Sequence, residues 1–401
     1  MCRFLVFKGT DPILLSHLIT KPAHSIINQA YDSRLRLEGP PINADGFGVG
    51  WYDPESVGES LELERDTKPC IFKAITPAWS NKNLQQLCSK LKSRLVFAHV
   101  RASTSGVLSE ENCHPWTYQS LLWMHNGGVS NFPAIKRSLQ AKLSDETFSF
   151  VNGNTDSEWC FALFLENLKK AAPLDSPTFP HQLLREKMLV TIAQINELCE
   201  SVPVKNGHRE PNLLNFCVTD GESVVVTRYI SSKEQDAASL FFSTGTKFEE
   251  FQEKEFRMRK DDKRETIVMI ASEPLTFQKR DWVEIPCQTC LVVTPKMNLL
   301  QFPIRDKYYI DSIKPQRTDS FVKSKGLRSF TLPPQGQNPT NRDPQRANTG
   351  LTSAISPVVV RNAPFSALDS VVRPFERFKG MKREVLEEEE ADEQLEIGRK
   401  F

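Results

Sequence analysis

Nine short apolar runs, rich in β-branched and aromatic residues, constrain the fold more than any other feature of the chain. They are Phe4 to Phe7, Phe47 to Tyr52, Leu95 to Val100, Leu121 to Met124, Asn215 to Val218, Val224 to Tyr229, Leu240 to Ser243, Ile267 to Ala271 and Leu291 to Thr294. Such runs have the length and composition of buried strands. Helical patterns lie between them, over Asn81 to Leu91, Phe132 to Leu143, Ser157 to Lys170 and Leu183 to Cys199. In the third, Trp159, Ala162, Leu163, Leu165 and Leu168 can share one face. Many strands with helices grouped in blocks predict two sheets with helices outside, an α+β layered architecture. With 401 residues there is room for one large domain or two ordinary ones, and for a sizeable core.

The composition changes after Asp311. Proline and polar residues dominate from Lys314 to Asn348, with a short apolar island at Val358 to Val360 and Phe365 to Val372 and an acidic run from Glu384 to Glu396. The expected organisation is therefore a folded domain over residues 2–310 and a largely irregular, partly disordered extension over 311–401. Net charge is +1, which argues against nucleic acid or an anionic membrane as main partner. The basic stretch Arg257 to Arg264 is interrupted by Asp261 and Asp262 and reads as a solvated face. No apolar run approaches the ~20 residues of a membrane span, and the opening segment is too short for a signal peptide. Nine scattered cysteines without a leader are expected to be reduced thiols in the cytoplasm. Cys287-x-x-Cys290 has no second pair at zinc spacing, Cys113 beside His114 is a poor dyad, and no phosphate loop is present. No metal and no cofactor are expected.

Chemistry enters with Cys2. If the initiator Met is removed, Cys2 carries a free α-amine. Such an amine has pKa ~7.7–8.0 against ~10.4 for lysine, and can act as general base near neutral pH. Base and nucleophile then share one residue. Alone, a cysteine at position 2 is more often incidental. Three motifs add weight. His99-Val100-Arg101-Ala102-Ser103-Thr104 follows a strand, where an arginine fork can bind a carboxylate or simply form a surface ion pair. Met124-His125-Asn126-Gly127-Gly128 reads either as a hairpin turn or as an oxyanion hole, with the Asn126 amide and a glycine N–H as donors. Gly153-Asn154-Thr155-Asp156-Ser157-Glu158 precedes a helix and reads as a cap, or as a carboxylate for a ligand ammonium.

Together with Asn43-Ala44-Asp45-Gly46-Phe47-Gly48-Val49-Gly50-Trp51, N-C-H-P-W around His114, and Ala271-Ser272-Glu273-Pro274-Leu275 before Trp282, these motifs resemble the glutaminase domain of class II glutamine amidotransferases, over about residues 2–300. That family belongs to the N-terminal-nucleophile hydrolases. The resemblance implies a four-layer αββα sandwich with Cys2 starting a central strand. It implies Cys2 as nucleophile, Asn126 and Gly127 as oxyanion hole, Arg101 on the substrate α-carboxylate and Asp156 on its α-ammonium. His99, Thr104, His114 and His125 match supporting or structural positions. Longer members often carry R-W-A-T where this chain has Arg101-Ala102-Ser103-Thr104, so their gating and ammonia-routing details do not carry over.

The stretches MCRFLVFKG, KPAHSIINQAYDSRLRL, FKAITPAW and LVFAHVRAST look closest to a fungal branch of the family, amidotransferase-like subunits of a glutathione-degrading complex. This implies hydrolysis of the γ-glutamyl bond of glutathione through a thioester, beside a separate peptidase-like subunit carrying WD repeats. Two alternatives stand: a glutaminase subunit delivering ammonia from glutamine to a separate acceptor enzyme, and a non-catalytic scaffold.

Overall fold

Each of the nine apolar runs falls on a strand. In a computed structural model, residues 2–30, 43–53, 67–102, 108–203, 209–262, 264–276, 278–311 and 317–325 are described. The chain divides into two compact units, Met1–Pro333 and Pro334–Phe401. The second unit, with the expected apolar island and acidic run, lies outside the described residues.

Within the first unit the strands are β1 (Arg3–Leu14), β2 (Phe47–Trp51), β3 (Cys70–Ala74), β4 (Lys92–Val100), β5 (Trp116–Tyr118), β6 (Leu121–Gly128), β7 (Leu213–Thr219), β8 (Val224–Arg228), β9 (Phe241–Gly245), β10 (Lys247–Gln252), β11 (Glu255–Arg259), β12 (Ile267–Ala271), β13 (Val283–Glu284), β14 (Thr289–Val293) and β15 (Leu299–Pro303). The helices are α1 (Ser16–Ile19), α2 (Ile26–Gln29), α3 (Lys82–Cys88), α4 (Phe132–Gln140), α5 (Asp145–Ser149), α6 (Asp156–Lys169), α7 (His181–Ser201) and α8 (Ser320–Ser324). A seven-stranded sheet runs β13-β9-β12-β1-β4-β2-β3 and a six-stranded sheet runs β15-β14-β8-β7-β6-β5. Every pairing in both is antiparallel.

Three apolar clusters define four layers. One fills the space between the sheets, with Phe4, Val6, Phe97, Leu122, Met124 and Ile270. A second joins the seven-stranded sheet to the short helices α1–α3. A third joins the six-stranded sheet to α4, α6 and α7. The fold is thus an αββα sandwich. In α6 the expected single apolar face is exceeded. Every residue from Ser157 to Leu168 is buried, because the sheet covers one side and α4, α5 and α7 the other. Glu166 is tolerated there because its carboxylate accepts from Ser144 N–H (3.0 Å), Ser144 Oγ (2.7 Å) and Thr147 Oγ1 (2.8 Å).

Packing continues past residue 310, where the domain was expected to end. Arg317 donates to the carbonyls of Gln235 (2.9 Å) and Tyr308 (2.8 Å), and Val322 is buried against Leu213, Ile230, Ala237 and Ala238. Two adjacent apolar side chains, Phe321 and Val322, in a polar stretch carry no periodicity by which sequence could reveal this.

Strand alternation then places the polar residues. Phe4 and Val6 of β1 enter the inter-sheet cluster while Leu5 and Phe7 pack on the helices. Phe97 of β4, Met124 of β6 and Ile270 of β12 also point inward. Counting in steps of two, Cys2, Arg101, Asn126 and Ser272 all lie on the inter-sheet side, at one end of the sandwich.

Candidate active site

Cys2 stands one residue before β1, whose first pairing is Arg3 with Val100, so Cys2 neighbours Arg101 across the ladder. The Ala102 N–H donates to Cys2 Sγ at 3.4 Å, and Arg3 Nη1 donates to the Cys2 carbonyl at 3.0 Å. Arg3 itself points to the helix side, where it pairs with the buried Glu273. All nine cysteines are free thiols. Burial pushes the thiols of Cys88, Cys113, Cys160, Cys199, Cys217, Cys287 and Cys290 above their ordinary value. Those seven are poor nucleophiles at neutral pH; Cys2 is only half-buried.

Arg101 is 3% exposed. The turn before β2 wraps it: its N–H donates to Gly46 O (2.8 Å) and its Nη1 to Asp45 O (3.4 Å). Gly46 sits at φ +105°, and a Cβ there would lie 2.6 Å from Cys113 Sγ and 2.8 Å from Ala74 O. Only glycine fits.

The Asn126-Gly127 pair is not a hairpin turn. It continues β6 in register with β7, Asn126 opposite Asn215 and Gly127 opposite Leu214. A Cβ on Gly127 would come within 1.9 Å of Leu213 O, so the glycine is required by close strand packing. Leu214 N–H bonds Tyr229 O (3.0 Å), which turns Asn215 toward β6. By antiparallel alternation, Asn126 bonds β7 and the N–H of Gly127 points to the opposite edge. The His125 carbonyl points there too and accepts from His99 Nε2 at 3.2 Å. Among the described residues no strand pairs with that edge beyond Trp123. The Asn126 side chain donates from Nδ2 to Ser272 Oγ at 3.1 Å, while its buried Oδ1 has no partner among the described residues.

Asp156 is the first residue of α6. Thr155 caps the helix, accepting from Glu158 N–H at 3.3 Å. Asp156 Oδ2 accepts from Val129 N–H (2.7 Å) and Oδ1 from Ser157 N–H (2.8 Å). These bonds tie the end of β6 to the helix and leave lone pairs for a further donor.

Three histidines are buried nearby. Burial lowers His99 to about 3 and also depresses His114 and His125. His125 Nε2 donates to Leu213 O (2.9 Å), which leaves Nδ1 to accept from Ser157 Oγ (2.8 Å). His99 stacks on His114 with centroids 3.8 Å apart, and His114 meets Trp116 edge-on at 4.1 Å. They pack and orient, uncharged. Thr104 lies outside the described residues. Among those residues no group of three or more His, Cys, Asp or Glu is arranged to hold a metal ion.

Sequence reasoning named Cys2, Arg101, Asn126, Gly127 and Asp156, and the fold gathers the first three on one inter-sheet face. It gave no role to Ser272 or Glu273, and gave Ser157 only a place in the helix-capping motif. The run Ala271 to Leu275 drew notice only as a family resemblance.

A sandwich of two antiparallel sheets with a cysteine at the head of a central strand defines the class. The model for class-II glutamine amidotransferases matches residues 33–300, and the chain belongs to that family. It is 51% identical over 331 residues to the probable glutamine amidotransferase DUG3 of Saccharomyces cerevisiae, covering 82% of this chain and 91% of that one. A gamma-glutamyl-hercynylcysteine sulfoxide hydrolase of Mycolicibacterium smegmatis is 30% identical over 130 residues, 32% of this chain and 52% of that one. A solved class-II domain protein from Silicibacter pomeroyi aligns with TM-score 0.48 at 22% identity, covering 76% of this chain and all of that one. No described helix is long and apolar enough to cross a membrane.

Proposed function

We propose that the chain hydrolyses the γ-glutamyl amide bond of glutathione to glutamate and Cys-Gly, with Cys2 as nucleophile. One observation carries the reading: Cys2 Sγ, held by Ala102 N–H, lies on the same inter-sheet face as Arg101 and Asn126. After loss of Met1, the Cys2 α-amine takes the thiol proton and Sγ attacks the γ-carbonyl carbon. The oxyanion accepts from the Asn126 amide and the Gly127 N–H, a donor pair of which each member is worth ~2.7–4 kcal/mol. Arg101 holds the α-carboxylate and Asp156 the α-ammonium. The Cys2 ammonium returns its proton to the leaving nitrogen, and Cys-Gly departs. Water, deprotonated by the same amine, opens the thioester and releases glutamate. The neighbouring histidines cannot replace that amine, because His99 titrates about 3 and the other two are held neutral by burial.

Glutamine shares the α-ammonium and α-carboxylate of glutathione, so the same site would release ammonia from it. Glutathione is favoured by the resemblance of the opening stretches to the fungal glutathione-degrading branch. The similarity to a gamma-glutamyl-hercynylcysteine sulfoxide hydrolase of Mycolicibacterium smegmatis also supports γ-glutamyl conjugates as substrates. On this reading the chain works in the cytoplasm beside a peptidase-like WD-repeat subunit. The test is glutamate release from glutathione and from glutamine by the full-length chain, alone and with co-purifying proteins. Intact mass should show Met1 absent. Cys2→Ala should lower turnover by about 10³-fold or more while the melting temperature holds. Undiminished glutathione cleavage by that variant refutes the nucleophile, and faster release of ammonia than of Cys-Gly refutes the substrate.

A further inference from the structure

Ser272 follows β12 and is 1% exposed. Four hydrogen bonds meet on it. Its N–H donates to Phe4 O (3.0 Å) and its carbonyl accepts from Ser239 Oγ (2.9 Å). Its Oγ accepts from Phe4 N–H (3.1 Å) and from Asn126 Nδ2 (3.1 Å). Both lone pairs of the hydroxyl are thereby engaged. The two donors come from different sheets, Phe4 from the strand that Cys2 precedes and Asn126 from β6. Around them the inter-sheet layer is apolar, so this polar junction is costly to build and loses free energy if any member is left unmatched.

An asparagine amide turns about a soft, roughly two-fold terminal torsion. Packing alone does not fix its plane. A buried acceptor on a third strand does, and this one is bonded to the backbone two residues from Cys2. We propose that Ser272 is a positioning residue for the reaction: its Oγ holds the Asn126 amide plane and ties that amide to the strand carrying Cys2, so that oxyanion donor and nucleophile keep one geometry. The inference rests on the oxyanion role of Asn126 proposed above. Ser272 touches no reacting atom. Its effect passes through Asn126, and that route makes it separable from a general structural role.

The experiment is a double-mutant cycle in the full-length chain purified with its co-purifying proteins, reading glutamate release from glutathione and glutamine. Ser272→Ala should lower kcat about 10- to 100-fold, the scale of a misplaced catalytic group, with KM within about twofold. Added to Asn126→Ala, it should have no further effect on kcat. Ser272→Thr, which keeps the hydroxyl, should recover most of the rate. Multiplying effects in the double variant, or a raised KM with unchanged kcat, overturn the inference while the oxyanion reading stands. Unchanged turnover in Asn126→Ala sinks that reading and the inference with it. If Ser272→Ala does not fold, as a thermal melt will show, Ser272→Thr and Ser272→Cys run the same cycle.

Discussion

The two ends of the inter-sheet layer are built from the same strands and handle polar groups in opposite ways. At the far end of β1, Lys8 points inward and donates to Glu222 O at 2.6 Å. Tyr52 donates to Ser120 O (2.6 Å), and its own carbonyl accepts from Ser93 Oγ (2.7 Å). Asp220 accepts from the N–H groups of Phe179, Glu222 and Ser223. Gly221, at φ +90°, lets the turn lie against the Tyr52 ring. Lys8, Tyr52 and Asp220 are thus matched within the chain, and of this turn only the buried Ser223 Oγ lacks a partner among the described residues. At the Cys2 end, among the described residues, Asn126 Oδ1 lacks a partner and the Gly127 N–H lies on an edge of β6 with which no strand pairs. Buried polar groups are normally satisfied, so an end that keeps an unmatched amide oxygen beside an unpaired strand edge is the end with polar groups left for something else to bind.

The comparison breaks most readily at Arg101. Arg101→Lys keeps the charge but loses the planar fork. If the Cys2 end is the working one, kcat/KM for glutathione should fall about 100-fold, equivalent to ~2.7 kcal/mol of transition-state binding, with little change in melting temperature. A loss below about threefold would mean that Arg101 serves only the turn around Asp45 and Gly46.

Acid should find the Cys2 end first. His99 titrates about 3 when folded against an ordinary 6.5, because burial disfavours the imidazolium. Below pH 6.5 the unfolded chain takes up a proton that the folded chain refuses, so stability is full above that pH and is lost as pH falls toward 3. For His99 alone the loss between pH 7 and pH 5 is about 2 kcal/mol. His114 and His125 are shifted in the same direction and add to it. Urea midpoints at the two pH values measure this, and equal midpoints would show that the imidazoles reach solvent.

The sequence was more legible in its core than at its ends. Strands such as β4 and β14 were readable because apolar runs are a local property. The edge strand β3 was missed because Cys70 and Ile71 are exposed, and the ribbon of β10 and β11 because most of its residues are polar. The four-residue helices α1 and α2 are too short to show a period. At the site, Cys2 and Arg101 could be named from motifs and chemistry. Asn126-Gly127 left two readings open, and only the strand neighbour Leu213 decides between them. Ser272 was invisible, since its value lies in a partner 146 residues away. Lys8 was equally silent: a lysine beside an apolar run looks like the end of a strand, not a side chain turned into the interior.

Lys8 gives the smallest effect and the sharpest contrast. Its burial lowers its pKa from the ordinary lysine value, opposed by Glu222 and Asp220. The folded chain therefore carries the ammonium at a cost near neutral pH. Above the folded pKa and up to about 10.5, the unfolded chain binds more protons than the folded one, so stability rises with pH across that window. Lys8→Met removes the charge and keeps the unbranched stem. The Glu222 carbonyl it abandons belongs to an exposed residue and can turn to water. The variant should match or exceed the wild type in stability by up to ~1 kcal/mol at pH 7, lose that advantage toward pH 10, and leave kcat/KM unchanged. A drop in turnover would mean that the far end is coupled to the site through β1, and the division between a closed end and a working end would have to be given up.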